Sequence, residues 1–284
     1  MLTETVTLSD ETRQHWSDNS RARPLSVSVW RPACSDRPLP VVLLSHGTGG
    51  AVEDLSWLAE PLADAGILVA GVDHHGNSYK DVYLPEGFSF TWERARDVSL
   101  LLDYLVSRHD IDEQKIGAAG FSIGGYTVAA LLGARTNPEA LNAVLSGLVP
   151  APQLPEYPNV VEQLHSRYTE DQISARISDG GKSVADERIR AGFVIAPAIG
   201  RLLDPRSLRA ISAPFEIRWG GADDITPAED NALVYLDSVP KSSGRNVGAQ
   251  VGHYDFLGDR DDPYCARDVV SADAVEYFTT VFME

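Results

Sequence analysis

Lys115-Ile116-Gly117-Ala118-Ala119-Gly120-Phe121-Ser122-Ile123-Gly124-Gly125 decides how this chain folds. Lys115 to Ala119 reads as a short buried strand, and Gly125 to Ala134 has the composition of a helix. A serine at a sharp strand-to-helix turn is pushed out of the sheet with its hydroxyl exposed. The flanking Gly120 and Gly124 remove the side chains that would clash there. The helix behind Ser122 presents free backbone N–H groups and a dipole that favours a developing negative charge. The stretch therefore predicts a nucleophile elbow with Ser122 at its tip.

Three further signals follow in chain order. Upstream, Val41-Val42-Leu43-Leu44-Ser45-His46-Gly47-Thr48-Gly49-Gly50 is a β-rich apolar run that ends in a glycine loop. Downstream, Phe215-Glu216-Ile217-Arg218-Trp219-Gly220-Gly221-Ala222-Asp223-Asp224-Ile225-Thr226-Pro227 reads as a strand, a glycine turn, an acid and a helix opened by Thr226-Pro227. Of the chain's 7 histidines, only His253 lies in the last third, in a glycine-preceded turn after a strand expected over Asn246 to Val251. Serine, acid and histidine are the residue types that nucleophilic catalysis requires. A serine hydroxyl is a poor nucleophile until a base takes its proton, and the base needs a carboxylate to set its tautomer.

With Gly71-Val72-Asp73-His74-His75-Gly76 added, these segments resemble the serial landmarks of the α/β-hydrolases, and most of all the dienelactone-hydrolase-like and platelet-activating-factor-acetylhydrolase-like esterases. The resemblance runs from Leu25 to Phe282. It implies an α/β-hydrolase fold, with a mostly parallel central sheet flanked by helices, and a serine carboxylic-ester hydrolase acting on a small-molecule ester. Its catalytic residues would be Ser122 as nucleophile, His253 as base and Asp223 as acid. Asp224 is the competing acid, and the family's spacing to Pro227 favours Asp223. The oxyanion would sit between the backbone N–H groups of Thr48 and Ile123, and no metal or organic cofactor is implied. The chain departs from true dienelactone hydrolases in carrying serine at position 122 where they use cysteine, so serine chemistry carries over and their substrate does not.

The chain has 284 residues and a formal charge of −17. Its length suits one α/β domain over 1–284. The charge argues against nucleic acid and anionic membrane surfaces, both of which attract basic patches. No apolar run approaches the ~20 residues of a membrane span. The amino terminus lacks the basic region and apolar core of a signal peptide, which predicts a cytoplasmic protein. Cys34 and Cys265 lie far apart and fit no metal or redox motif, so they read as free thiols.

Strands alternate with helices from Val41 to the end, after two antiparallel strands expected at Thr3 to Ser9 and Leu25 to Arg31. Helices are expected over Val52 to Ala65, Glu93 to Ser107 and Asp262 to Met283. Residues 138–190 break the alternation with a proline-rich stretch, Pro150 to Pro158, and a polar helix-like run through Ile177. This insertion reads as a small helical lid over the nucleophile. The loop from His74 to Thr91 carries Tyr79, Tyr83, Phe88 and Phe90, which read equally as pocket wall and as core. His46 is expected to brace the oxyanion loop by hydrogen bonding. The tandem His74-His75 reads as loop packing, because adjacent side chains diverge too far to chelate. Asp259 to Asp262 reads as a solvated turn before the last helix. Two rivals to an esterase stand beside it: another acyl-transfer enzyme on the same three residues (lactonase, amidase, thioesterase or acyltransferase), and a non-catalytic binding module.

Overall fold

Val41 and Leu43 point into one apolar cluster, while Val42 and Leu44 point into another. That period of two, buried on both sides, is what a central strand covered on both faces requires. The computed structural model describes residues 2–33, 38–150 and 154–283. Within them an eight-stranded sheet runs in the order β1-β2-β4-β3-β5-β6-β7-β8. The strands are β1 (Leu2–His15), β2 (Asp18–Trp30), β3 (Leu39–Ser45), β4 (Leu68–Asp73), β5 (Ile111–Phe121), β6 (Ala191–Ile195), β7 (Phe215–Trp219) and β8 (Ser242–Asn246). β1 pairs with β2, and β2 with β4, antiparallel; every later pairing is parallel.

Helices cover both faces. α1 (Ser56–Asp64) and α10 (Ala266–Val281) pack on the face that carries Val42, Leu44 and Phe193. There the Phe278 ring fills the space over Gly117, where an added Cβ would lie 2.4 Å from it. Burying a side chain of that size contributes roughly 1.5–3 kcal/mol. α3 (Glu93–Arg108), α4 (Ile123–Leu131), α8 (Pro205–Arg209) and α9 (Ala232–Ser238) pack on the other face. A third, smaller apolar cluster lies outside the sheet layers. It joins Phe90 and Trp92 to α5 (Pro138–Leu145), α6 (Val160–Arg167) and α7 (Glu170–Gly180). These three helices lie within residues 138–190, and the short α2 (Pro85–Ser89) lies in the loop after β4.

Element bounds differ from the sequence reading where side chains are diverted from regular structure. Beyond Asn246 no strand continues to Val251. β8 ends at Asn246, whose Oδ1 accepts the Gly248 N–H at 2.8 Å and turns the chain. The helix expected from Val52 begins as a 3₁₀ turn over Val52–Leu55 and becomes α-helical only at Ser56. Thr226-Pro227 opens a short 3₁₀ turn, Ala228–Asp230, and α9 starts at Ala232. The last helix starts at Ala266 because Asp262 caps it from outside, accepting the Ala266 and Arg267 N–H groups at 2.8 Å each. Cys265 is exposed, while Cys34 lies outside the described residues, as do residues 151–153 of the proline-rich stretch.

Candidate active site

Ser122 stands between the end of β5 and the start of α4 with φ 56° and ψ −121°. A non-glycine residue rarely adopts a positive φ, and holding one there costs on the order of 1–3 kcal/mol. Backbone bonds on both sides over-determine the turn: the Ser122 N–H donates to the Ile195 carbonyl at 2.9 Å, and its carbonyl accepts from Gly125 at 2.9 Å and Ala198 at 3.1 Å. The neighbouring glycines are demanded by close backbone approach. A Cβ on Gly124 would lie 1.9 Å from the Ser45 carbonyl oxygen, and one on Gly120 would lie 2.2 Å from that of Gly124.

His253 opens a single 3₁₀ turn, and its ring packs 4.7 Å from that of Phe121. Its Nε2 lies 3.1 Å from Ser122 Oγ and its Nδ1 lies 2.8 Å from Asp223 Oδ2. All three side chains are buried. Asp223 follows β7 through Gly220-Gly221, where the Ala222 N–H is held by the Val251 carbonyl at 2.9 Å. Burial pushes the Asp223 carboxyl up, but the hydrogen bond and charge of His253, with the Thr226 donors, outweigh it and hold the group below its ordinary value. Asp224 is exposed, so of the two candidate acids it is Asp223 that meets the imidazole.

Thr48 is half-buried in the loop after β3, and Ile123 is the first residue of α4. An N–H at the first helical position has no partner within its own helix. Both residues line the same cavity as Ser122 and His253. His46 braces the loop of Thr48 by hydrogen bonding, as expected. Its Nδ1–H donates to the Gly47 carbonyl at 2.7 Å, and its Nε2 accepts the His74 N–H at 3.0 Å. Burial, with Arg94 and His74 nearby, pulls the His46 imidazole well below its ordinary value, so it is neutral.

The tandem histidines diverge. His74 Nδ1 lies 2.9 Å from Asp97 Oδ2 and its Nε2 lies 2.9 Å from Ser45 Oγ. His75 packs its ring 4.2 Å from that of His15 and places Nδ1 3.1 Å from Asp81 Oδ2. His15, His75 and Asp81 offer one ligand atom each within 4.8 Å of one another. One nitrogen of each ring takes a backbone N–H, His75 Nε2 that of Trp16 at 3.4 Å and His15 Nδ1 that of Ser17 at 3.1 Å.

A cavity of about 970 Å³ opens over Ser122. Leu141, Val144, Leu145, Val160 and Val161 of α5 and α6 form an apolar wall, with Phe88 and Tyr79 from the loop after β4. Phe90 and Trp92 pack beneath the inserted helices instead, so the aromatics of that loop divide between wall and core. Two polar residues at this site carry no sequence signal for the contacts they make. Thr226 Oγ1 lies 2.8 Å from Asp223 Oδ2 and 3.1 Å from His253 Nδ1. Arg94 is buried behind the loop that holds Thr48.

Comparison with known proteins agrees with this architecture. The profile of the prolyl oligopeptidase family matches residues 53–146, the part that contains Ser122. The uncharacterized protein YcjY of Escherichia coli (strain K12) is 30% identical over 122 residues, which are 41% of this chain and 39% of that protein. Among solved structures, a ferulic acid esterase from Streptomyces cinnamoneus superposes with a TM-score of 0.65 at 18% identity, over 97% of this chain and 88% of that one. Thermogutta terrifontis esterase 2 phosphorylated by paraoxon gives a TM-score of 0.62 at 14% identity, over 98% and 94%. The chain has the α/β-hydrolase fold, and among the described residues no helix is long and apolar enough to cross a membrane.

Proposed function

We propose that this chain is a serine hydrolase that cleaves carboxylic esters through an acyl-enzyme. The observation that carries the reading is the continuous contact from Ser122 Oγ to His253 Nε2, and from His253 Nδ1 to Asp223 Oδ2, at 3.1 and 2.8 Å. Ser122 Oγ attacks the ester carbonyl carbon as its proton passes to His253 Nε2. Asp223 accepts the Nδ1–H throughout, fixing the tautomer and stabilising the imidazolium. The tetrahedral oxyanion faces the N–H groups of Thr48 and Ile123, each such donor being worth roughly 3–4 kcal/mol. Collapse breaks the ester C–O bond, and the imidazolium proton leaves with the alcohol. Water then attacks the acyl-enzyme by the same route and releases the acid and free Ser122.

α5 to α7 act as a lid whose apolar wall receives a bulky apolar part of a small-molecule ester, within one catalytic domain. The landmarks from Ser45 to His253 favour chemistry like that of the dienelactone-hydrolase-like and platelet-activating-factor-acetylhydrolase-like esterases. The two superposed proteins described above are esterases by name, which supports ester over other acyl substrates. The prolyl oligopeptidase match favours one second reading, hydrolysis of a peptide amide by the same three residues.

Labelling with a fluorophosphonate tests the nucleophile. The native chain should be labelled at Ser122, and Ser122→Ala should be neither labelled nor active on p-nitrophenyl esters. Substantial turnover by the alanine variant would put the nucleophile elsewhere. Faster turnover of p-nitroanilides than of matched esters would favour the peptide reading.

A further inference from the structure

Arg94 lies in the first turn of α3, is 2% exposed, and makes no carboxylate ion pair among the described residues. Burying a guanidinium without a paired carboxylate is costly, and an apolar side chain of similar volume would usually serve packing better. The nitrogens of Arg94 instead reach four oxygens. Nη2 donates to the His46 carbonyl and lies 3.3 Å from Ser45 Oγ; Nη1 donates to Asn77 Oδ1 at 3.2 Å; Nε donates to Thr127 Oγ1 at 3.2 Å.

Three of these acceptors lead to one half or the other of the oxyanion hole. The His46 carbonyl precedes the Gly47–Thr48 segment directly. Asn77 Oδ1 also accepts the Gly49 N–H at 2.9 Å, so the same guanidinium reaches the far side of Thr48 through one amide. Asn77 itself is tied down, its Nδ2 donating to the Gly87 carbonyl at 3.0 Å. On the other side, Thr127 Oγ1 lies 3.2 Å from the Ile123 carbonyl, one turn back along α4. Thr48 follows β3 and Ile123 follows β5, so nothing in the covalent chain holds their N–H groups at a fixed separation. The fork of Arg94 has the planar, multi-donor shape needed to join the two loops.

We infer that Arg94 is a positioning residue that clamps the Thr48 loop to the elbow helix and so sets the spacing of the two oxyanion donors. This role rests on the serine-hydrolase reading for its chemistry, but the clamp itself is a property of the fold. Because both donors act on the transition state more than on the ground state, loosening the clamp should lower kcat and leave KM nearly unchanged.

The test compares native chain, Arg94→Met, Arg94→Lys and the milder Thr127→Val. Arg94→Met should lose about 10²–10³-fold in kcat on a p-nitrophenyl ester with KM within about twofold, the scale of one lost oxyanion donor. Arg94→Lys, which keeps the charge but not the fork, should recover only part of this. Affinity for an aryl trifluoromethyl ketone, whose Ser122 adduct carries the oxyanion, should fall in parallel with kcat/KM. Thr127→Val should lose less, and adding it to Arg94→Lys should cost less than the sum of the two, because both cut one network. Amide exchange should quicken at residues 46–50 in Arg94→Lys, with α10 unchanged. A folded Arg94→Lys with native kcat, ketone affinity or loop exchange would overturn the clamp. Should Arg94→Met fail to fold, Arg94→Lys and Thr127→Val decide the matter. Absence of fluorophosphonate labelling in the native chain would overturn the serine-hydrolase reading, while amide exchange would still judge the clamp.

Discussion

Thr226 holds Asp223 twice: its N–H donates to Oδ1 at 2.7 Å, and its hydroxyl lies 2.8 Å from Oδ2. With the Ile225 N–H also on Oδ1 at 3.0 Å, the carboxylate cannot swing away from His253. Its neighbour Asp224 points into solvent. Asp223→Asn should therefore cost on the order of 10³–10⁴-fold in kcat, because an amide NH₂ facing Nδ1 stabilises the wrong imidazole tautomer. Asp224→Asn should change kcat by less than about twofold. Steady-state assays of the two variants check this, and equal losses would remove Asp223 from the role assigned to it.

Thr226→Val should lower kcat by about tenfold without unfolding the chain. The valine keeps the volume and the backbone N–H bond but removes the hydroxyl, and one hydrogen bond to a charged group is worth roughly 1.5–3 kcal/mol. The Ala196 carbonyl, 3.2 Å from the same hydroxyl, would lose a neighbour as well. Thr226→Ser should restore most of the rate. A valine variant as active as the native chain would mean that the two contacts from the Thr226 backbone and Ile225 already fix the carboxylate.

Ser122 and the glycine loop after β3 are legible in sequence because each sits where a buried apolar strand stops at glycine, and that change of composition is local; His253 is legible as the one histidine in the last third of the sequence, next to Gly252. β8 is not legible in the same way. As an edge strand it pairs through its backbone with β7, and Ser242–Asn246 turns polar side chains outward, so hydropathy carries no trace of it. The apolar Val247 and Val251 drew the expected strand several residues too far along. Arg94, Asn77 and Thr127 are illegible for another reason. The contacts of Arg94 reach residues 17 to 49 positions away in sequence, and a lone arginine in a helix pattern reads as solvent-facing. Thr226-Pro227 reads locally as a helix opening, whereas tertiary structure draws the Thr226 hydroxyl to Asp223.

Stability should fall as the pH drops below about 6.5. Burial, with the charges of Arg94 and other neighbours, pulls the His46 and His74 imidazoles well below their ordinary value of 6.5, so both stay neutral in the fold. The unfolded chain binds those protons and the folded chain does not, so acidification favours unfolding by about 1.4 kcal/mol per pH unit for each histidine. Asp73 works in the opposite sense at lower pH, because burial raises its carboxyl. Urea melts at pH 7.5 and 5.5 keep to the histidine window. The midpoint should be lower at pH 5.5, and an unchanged or higher midpoint would mean that these imidazoles are charged or solvated in the folded chain.

The inserted helices offer the last prediction. Val144 of α5 is 7% exposed and lines the cavity over Ser122, yet it does not belong to the apolar cluster that packs α5 to α7 together. A larger side chain there can grow into the cavity with less strain on that cluster than one at Leu145, which belongs to it. Val144→Trp should leave the elbow, His253 and Asp223 in place and shorten the apolar wall. Each methylene denied burial costs about 0.8 kcal/mol, so excluding two is worth about tenfold in rate. The ratio of kcat/KM for p-nitrophenyl octanoate to that for the acetate should drop at least tenfold, with the acetate rate nearly unchanged. Equal losses on both esters would mean that the tryptophan disturbs the catalytic residues. No loss on either would mean that substrate never touches α5, and the insertion would not be the wall of the acyl site.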